Sequence, residues 1–240
     1  MIKFFNKVYR RRKKVSNTGK IERATIMEVD NFQVVESYKQ LRTNIMFAMS
    51  VKDTTIVELS SSYPGEGKSI TSANVSIAMA QTGAKVLLIV KNKVGLSSVL
   101  GKMATYSEAV NRDVVKNLDL ITSGPVPPNP SELIASKAMQ NFINEVKEIY
   151  DYVIIDTPPI NVVSDALELS QYTGGLVLVT RQGVTTYDDI RHTINSAKFL
   201  NVDILGMVVN GIKEDKFNNY GKYRYKYKYK YKYSGYEYKK

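Results

Sequence analysis

The stretch Thr55-Ile56-Val57-Glu58-Leu59-Ser60-Ser61-Ser62-Tyr63-Pro64-Gly65-Glu66-Gly67-Lys68-Ser69 decides the fold of this chain. Its first five residues are mostly apolar, which is typical of a short buried strand. A glycine-containing loop follows, and the residues from Lys68 to about Thr82 predict a helix that ends at Gly83. A strand, a loop and a helix in this order indicate an α/β fold.

The rest of the chain repeats this alternation of strands and helices. Apolar runs predict further strands at Val86–Val90, Leu118–Ile121, Val153–Ile155, Leu176–Val179 and Ile204–Val209. Helical spacing of apolar residues predicts helices over 36–50, 131–150 and 186–200. Strands that are apolar throughout are expected in a parallel sheet covered on both faces. We therefore expect a mostly parallel sheet with helices on both of its faces.

The composition excludes several classes of protein. With 240 residues, of which 43% are hydrophobic, the chain can form one packed domain. The absence of cysteine excludes disulfides, thiolate zinc sites and cysteine nucleophiles, and the single histidine argues against a Ser-His-Asp triad. No apolar run is long enough to span a bilayer, and residues 1–14 lack the apolar core of a secretory signal. We therefore expect a cytoplasmic protein.

The net charge of +11 is concentrated at the two ends of the chain. Residues 1–20 contain eight Lys or Arg and no acid, while residues 220–240 contain eight Lys or Arg and one acid. The body between them is therefore mildly acidic, which does not favour a nucleic-acid-binding domain. We predict a disordered basic arm at 1–30, a folded domain at 31–219 and a separate tail at 220–240.

The loop before the second predicted helix has the features of a phosphate site. Backbone N–H groups of such a loop, with a helix N-terminus behind them, bind phosphates. Lys68 would reach the β- and γ-phosphates, and the Ser69 hydroxyl would bind Mg²⁺. The strict P-loop pattern has glycine where Ser62 stands, so a turn that binds nothing stays an alternative. The predicted nucleotide-binding residues are Pro64, Gly65, Glu66, Gly67, Lys68, Ser69 and Ile70.

A carboxylate for the metal is found at the end of another predicted strand. Asp156 follows Val153-Ile154-Ile155, and open α/β sheets bind ligands at the carboxyl ends of their strands. This pattern is interpreted as a Walker B element. We therefore predict a P-loop NTPase fold, with Lys68 and Asp156 as the catalytic residues, Ser69 and Asp156 as ligands of Mg²⁺, and ATP as the nucleotide.

Several motifs together resemble one family, the bacterial tyrosine kinases of capsule and exopolysaccharide synthesis. The matching segments are 36–44, 64–69, 127–133 and 155–159, followed by a C-terminal cluster of tyrosines, and they occur in the family's order. The sequence looks like the stand-alone cytoplasmic form of Gram-positive bacteria. The resemblance implies an ATP-dependent kinase that phosphorylates tyrosines in its own tail and regulates polysaccharide synthesis.

The resemblance also implies partners and further site residues. The partners are a membrane adaptor that activates the kinase at the inner face of the membrane, and a cognate tyrosine phosphatase. Ring-shaped oligomers would form through a motif that here comprises Glu36, Lys39 and Arg42, whose alternative is a solvated helix face. Asn210 resembles the asparagine that faces adenine in related ATPases, and its alternative is a cap at the end of a strand.

One departure from the family concerns the end of the second strand. The family has an Asp-x-Asp pair there, which helps to bind Mg²⁺ and to deprotonate the tyrosine hydroxyl, whereas Val90 and Asn92 stand at these positions. General-base assistance is worth about 10²–10⁴-fold in rate. We therefore expect nucleotide binding to survive and the kinase activity to be weakened or lost.

The tail from residue 220 onward alternates tyrosine with lysine. We expect it to be disordered while unmodified and to serve as the phosphoacceptor, since each phosphate adds about −1.5 to −2 charges and reverses the basic character of the tail. A strand-tracking nucleic-acid contact and a polybasic lipid anchor are the alternatives. The acceptors are Tyr220, Tyr223, Tyr225, Tyr227, Tyr229, Tyr231, Tyr233, Tyr236 and Tyr238.

Two other functions compete with the kinase. A non-catalytic, ATP-binding scaffold is favoured by the missing acids at 90 and 92. A partitioning-type ATPase is less favoured, because that group has a signature lysine where Tyr63 stands.

Overall fold

Seven strands form one sheet in the computed structural model, which describes residues 25–27, 31–90, 95–124 and 128–212. The strands are β1 (Ile56–Ser61), β2 (Val86–Val90), β3 (Val110–Val115), β4 (Leu118–Thr122), β5 (Tyr152–Asp156), β6 (Leu176–Arg181) and β7 (Ile204–Asn210). Their order across the sheet is β3-β4-β2-β5-β1-β6-β7. Every neighbouring pair is parallel except β3 and β4, which confirms the predicted mostly parallel sheet.

Helices connect the parallel strands. They are α1 (Phe32–Met49), α2 (Lys68–Ala80), α3 (Leu96–Leu100), α4 (Tyr106–Ala109), α5 (Pro130–Ile134), α6 (Lys137–Ile149), α7 (Asp165–Leu169) and α8 (Tyr187–Phe199), with a 3₁₀ turn at Ser170–Tyr172. The helix predicted over 131–150 is in fact two helices. The break occurs because the Ser136 side chain accepts a hydrogen bond from the Met139 N–H and so caps a new helix.

The core has two layers because neighbouring residues of a strand point to opposite faces of the sheet. Val57 and Leu59 of β1 pack with Ile77 of α2 on one face. Ile56 of the same strand packs with Phe142 of α6 on the other face. This arrangement confirms the prediction of helices on both faces, and it explains why β2 and β5 are apolar on both sides.

The hairpin of β3 and β4 is the antiparallel part of the sheet. Strand β3 was not predicted, because Asn111, Arg112 and Asp113 interrupt its apolar residues and a bulge breaks its register. Asp113 has a φ of 47°, a left-handed conformation that aspartate tolerates better than most residues. In this hairpin β4 pairs with β2, and β3 forms the outer edge of the sheet.

The parallel strands end at a common edge of the sheet. The loop after β1, Asp156 at the end of β5 and Asn210 at the end of β7 therefore lie at this edge. Residues 1–24 and 28–30 of the predicted basic arm, Asn92 and the tail tyrosines lie outside the described residues. Among the helices that are described, none combines the length and the apolar character needed to cross a membrane.

Candidate active site

The loop between β1 and α2 has the backbone conformation of an anion-binding turn. Gly65 and Gly67 have φ values of 92° and 97°, in the left-handed region that favours glycine. Gly67 precedes α2, and no side chain caps this helix. The helix therefore presents its first N–H groups to the loop, as phosphate binding requires.

Gly67 is also required by close packing. A Cβ atom at this position would lie 2.5 Å from Nδ2 of Asn210. The same Nδ2 donates hydrogen bonds to the Glu66 carbonyl oxygen at 3.0 Å and to the Thr71 hydroxyl at 3.1 Å. Asn210 therefore braces the P-loop from the end of β7. Its contact with an adenine base stays a prediction.

Ser62 departs from the strict P-loop pattern without distorting the loop. It lies outside the left-handed region, so a residue other than glycine is tolerated there. Its buried hydroxyl lies 2.8 Å from the Thr193 hydroxyl of α8. The hydrogen bond of Ser62 thus connects the start of the loop to α8.

The buried carboxylate of Glu66 holds the P-loop through hydrogen bonds to two other segments of the chain. It is fully buried, and one carboxylate oxygen accepts a hydrogen bond from the Tyr63 N–H at 2.9 Å. The other oxygen accepts a short hydrogen bond from the hydroxyl of Thr185, which follows β6. Thr185 was not predicted as a site residue, because its contact with Glu66 spans 119 positions of the sequence.

Lys68, Ser69 and Asp156 come together as predicted. The Lys68 ammonium lies 3.1 Å from a carboxylate oxygen of Asp156 and 3.1 Å from the Ser69 hydroxyl. The β1–β5 register, in which Leu59 lies opposite Asp156, brings the two loops together. The Asp156 side chain is only 3% exposed, so its charge is shielded from water and the ion pair with Lys68 is strengthened.

These residues have the chemistry that a magnesium nucleotide requires. Mg²⁺ prefers oxygen ligands and is usually held by one or two protein groups together with substrate phosphates and water. The Ser69 hydroxyl and the Asp156 carboxylate would hold the ion, and Lys68 would bind the phosphates. When bound, the ion would neutralise charge on the phosphates.

A cavity of about 180 Å³ lies beside Asp156. It is mostly apolar, with Thr157 and Asp165 among its polar residues, and it extends between the ends of β2 and β5 and the helices α3, α5 and α7. Its principal apolar side chains are Leu96, Leu100, Leu133, Met139 and Leu169.

Val90 occupies the end of β2, next to this cavity. Since Ile89 lies opposite Ile155 in the β2–β5 register, Val90 lies across from Asp156. Its side chain is 2% exposed and belongs to the core layer that contains α2. The described part of the site therefore has an apolar side chain at position 90, where the resemblance implied an acid.

The residues predicted to make an oligomer contact lie on α1. Glu36 and Lys39 form an ion pair of 2.7 Å within the helix, with 43% of each side chain exposed. The Arg42 guanidinium donates a hydrogen bond to the Ala78 carbonyl oxygen at 3.1 Å. Arg42 thus holds α1 against α2, and a ring contact through these residues stays a prediction.

Comparisons with known proteins identify the family. A family model described as ParA, NUBPL iron-transfer P-loop NTPase, matches residues 51–218. Tyrosine-protein kinase YwqD of Bacillus subtilis (strain 168) is 41% identical over 202 residues, which are 78% of this chain and 85% of YwqD. The chain belongs to the bacterial tyrosine-protein kinases. The predicted family and the P-loop NTPase fold are therefore both confirmed.

Two further members of this kinase family agree. Tyrosine-protein kinase CpsD of Streptococcus agalactiae is 33% identical over 205 residues, covering 78% of this chain and 89% of CpsD. The kinase domain of the Escherichia coli tyrosine kinase ETK is 31% identical, with a TM-score of 0.70 over 74% of this chain and 75% of that domain. The kinase fold thus extends over most of the described residues.

Proposed function

We propose that this chain is an ATP- and Mg²⁺-dependent protein-tyrosine kinase that phosphorylates its own C-terminal tyrosines. The observation that carries the proposal is the contact of Lys68 with Asp156 and Ser69 at one edge of the sheet, at 3.1 Å in each case. This arrangement supplies a cation for the phosphates and two oxygen ligands for the metal. Membership of the tyrosine kinase family supports tyrosine as the acceptor.

The cavity beside Asp156 supports an aromatic acceptor. Its apolar walls suit the ring of a tyrosine, and the hydroxyl of a tyrosine bound there would lie near Asp156. The walls come from the helices α3, α5, α6 and α7 and from the ends of β2 and β5, so the cavity does not depend on the P-loop itself. We propose that it takes the acceptor side chain during transfer.

The end of β7 lies close enough to Asp156 for the chain that follows it to reach the site. Strand β7 ends at the edge of the sheet that carries Asp156, and three strand spacings of about 4.8 Å separate β7 from β5. Ten residues at about 3.3 Å each can span roughly 33 Å. The first tail tyrosine, Tyr220, is therefore within reach of the site of its own chain, and transfer into a neighbour's site is the arrangement that the resemblance implies.

We expect the kinase activity to be weak, because the described part of the site has no carboxylate at position 90 to act as a base. Val90 offers no carboxylate beside Asp156, and a tyrosine hydroxyl with a pKa near 10 benefits from a base. Val90 is also the observation that favours a second candidate function, an ATP-binding scaffold without catalytic activity. The two functions differ in whether phosphotyrosine forms.

The remaining parts of the proposal concern where and with what the kinase acts. We propose a role in capsular or extracellular polysaccharide synthesis, at the inner face of the membrane, with a membrane adaptor as activator and a tyrosine phosphatase as antagonist. Ring-shaped homo-oligomers would form through α1. The ion pair of Glu36 and Lys39 is exposed on α1 and is available to a neighbour.

A single reaction separates the candidate functions. The purified full chain is incubated with ATP, Mg²⁺ and the cytoplasmic segment of an adaptor, and phosphotyrosine, bound nucleotide and released phosphate are measured. The kinase predicts phosphotyrosine that disappears in Lys68→Met. The scaffold predicts bound nucleotide without phosphotyrosine, and a partitioning-type ATPase predicts phosphate release without phosphotyrosine.

A further inference from the structure

Strand β1 contains a buried acid that the kinase site does not explain. Glu58 is 1% exposed and lies opposite Ile155 of β5, on the sheet face that packs against α6. One of its carboxyl oxygens lies 2.9 Å from the Thr157 hydroxyl. The other oxygen, Oε2, has no hydrogen-bond partner among the described residues. A buried polar group with an unmet hydrogen bond costs free energy, so its presence in this strand calls for a reason.

The Thr157 hydroxyl can form hydrogen bonds with both of its neighbours at once only when this acid is neutral. The Thr157 hydroxyl lies 2.9 Å from Glu58 and 3.2 Å from the Leu59 carbonyl oxygen, and it has only one proton to donate. If Glu58 is ionised, both neighbours are acceptors and one hydrogen bond is lost. If Glu58 is protonated, it donates to Thr157 and Thr157 donates to Leu59, so both hydrogen bonds form.

Burial disfavours the ionised form of Glu58. It raises the pKa of Glu58 from its ordinary 4.5 to about 8, because the cost of desolvation exceeds the effect of a hydrogen bond from Thr157 to the ionised form. Burial and Thr157 alone account for this pKa, and no charged group of the described residues contributes.

Thr157 connects Glu58 to the active site. It directly follows Asp156, lines the cavity beside that aspartate, and donates its N–H to the Leu59 carbonyl oxygen at 3.1 Å. The next residue, Pro158, accepts a hydrogen bond from the Ser60 hydroxyl at 2.6 Å. Residues 58–60 of β1 therefore hold the segment that carries Asp156, and β1 also leads into the P-loop.

We propose that Glu58 is a positioning residue that, as a neutral acid, orients Thr157 and thereby holds Asp156 for binding of a magnesium nucleotide. This inference rests on the proposed nucleotide site and adds a residue that acts through Thr157. Glutamine at position 58 preserves the donor to Thr157 and has no charge to lose. Leucine has a similar size but removes the donor.

The test compares the full-length chain with Glu58→Gln and Glu58→Leu in titrations of a fluorescent ADP analogue with Mg²⁺. Loss of one buried hydrogen bond predicts an affinity about 3- to 10-fold weaker in Glu58→Leu. Glu58→Gln should bind within about twofold of the parent, which corresponds to a small fraction of one hydrogen bond. Equal affinities of all three chains would overturn the proposal.

A pH series gives a readout that a merely structural role would not produce. Above about pH 8 Glu58 ionises and draws the Thr157 proton away from Leu59, so the parent should lose affinity while Glu58→Gln does not. If Glu58→Leu fails to fold, this comparison still decides the question. Parallel pH profiles of the parent and Glu58→Gln would contradict the inference.

A double-mutant cycle tests the route through Thr157. Thr157→Val removes the hydroxyl and keeps the shape of the side chain, and it should weaken nucleotide affinity about as much as Glu58→Leu. The double variant should show no further loss, since both changes break one network. Additive losses would overturn the route through Thr157.

The outcomes separate this inference from the kinase proposal. Nucleotide binding with the expected variant pattern but without phosphotyrosine would refute the kinase alone. Phosphotyrosine formation with equal affinities in all variants would refute the role of Glu58 alone. A parent chain that binds no magnesium nucleotide would refute both.

Discussion

Replacing Glu58 by glutamine should stabilise the fold by an amount that grows with pH. In the folded chain burial raises the pKa of Glu58 from 4.5 to about 8. Between these values the folded state holds a proton that the unfolded state releases, so the stability of the parent falls as the pH rises. Glutamine carries no such proton, and its stability lacks this dependence.

The size of the effect follows from the two pKa values. Each pH unit between them changes the free energy of unfolding by about 1.4 kcal/mol. Moving from about pH 5.5 to about pH 7.5 should therefore add about 2–3 kcal/mol to the advantage of Glu58→Gln over the parent. In a domain of this size each kcal/mol shifts Tm by about 2–4 °C, so the gap in Tm should widen by about 4–12 °C.

The assay is thermal unfolding of both chains at the two pH values. Glu148→Gln is the matched control. It is the same substitution at a position on α6 whose side chain is exposed to water. Its Tm difference from the parent should stay nearly constant with pH. A gap between Glu58→Gln and the parent that does not widen would show that Glu58 is ionised in the folded state, and the reasoning on Thr157 would fail with it.

Three further predictions concern the nucleotide site. Gly67→Ala should abolish binding of a fluorescent magnesium nucleotide, because it strains a φ of 97° and displaces Asn210 from the P-loop; normal binding would contradict the packing argument. Asp156→Asn should lower the apparent affinity for Mg²⁺ in nucleotide binding by at least about tenfold, as measured by metal titration. An unchanged affinity for Mg²⁺ would exclude Asp156 as a ligand. Val90→Asp should lower Tm without Mg²⁺, since it buries a second carboxylate beside Asp156, and should raise phosphotyrosine formation with Mg²⁺. A rate of phosphotyrosine formation no higher than that of the parent would show that the missing acid does not limit the activity.

The central strands could be predicted because both of their faces are buried. Strands β2 and β5 show this as apolar runs, β1 is apolar over its first residues apart from Glu58, and the acid at the end of β5 is where the sequence predicts a Walker B element. Strand β3 was missed because it lies at an edge of the sheet and buries only Val110 and Val114, with polar residues between them. The break at Ser136 was missed because both sides of it have helical spacing, although a serine three residues before a helical N–H is a recognisable cap.

The residues of the phosphate site were predictable, while the contacts that hold them were not. Lys68, Ser69 and Asp156 belong to local motifs whose order along the chain indicates a common edge. Thr185 and Asn210 reach the P-loop only through the order of strands across the sheet. Glu58 was visible as a charged residue in an otherwise apolar strand, but its contact with Thr157 depends on the β1–β5 register.

The most direct test of the central claim is to map phosphotyrosine on the purified full chain. The chain is incubated with ATP, Mg²⁺ and the adaptor's cytoplasmic segment, and the sites are identified by mass spectrometry beside an Asp156→Asn control. A tyrosine kinase acting on its own tail predicts phosphate on tyrosines between Tyr220 and Tyr238 in the parent and none in the control. Bound nucleotide together with an unmodified tail in the parent would contradict it.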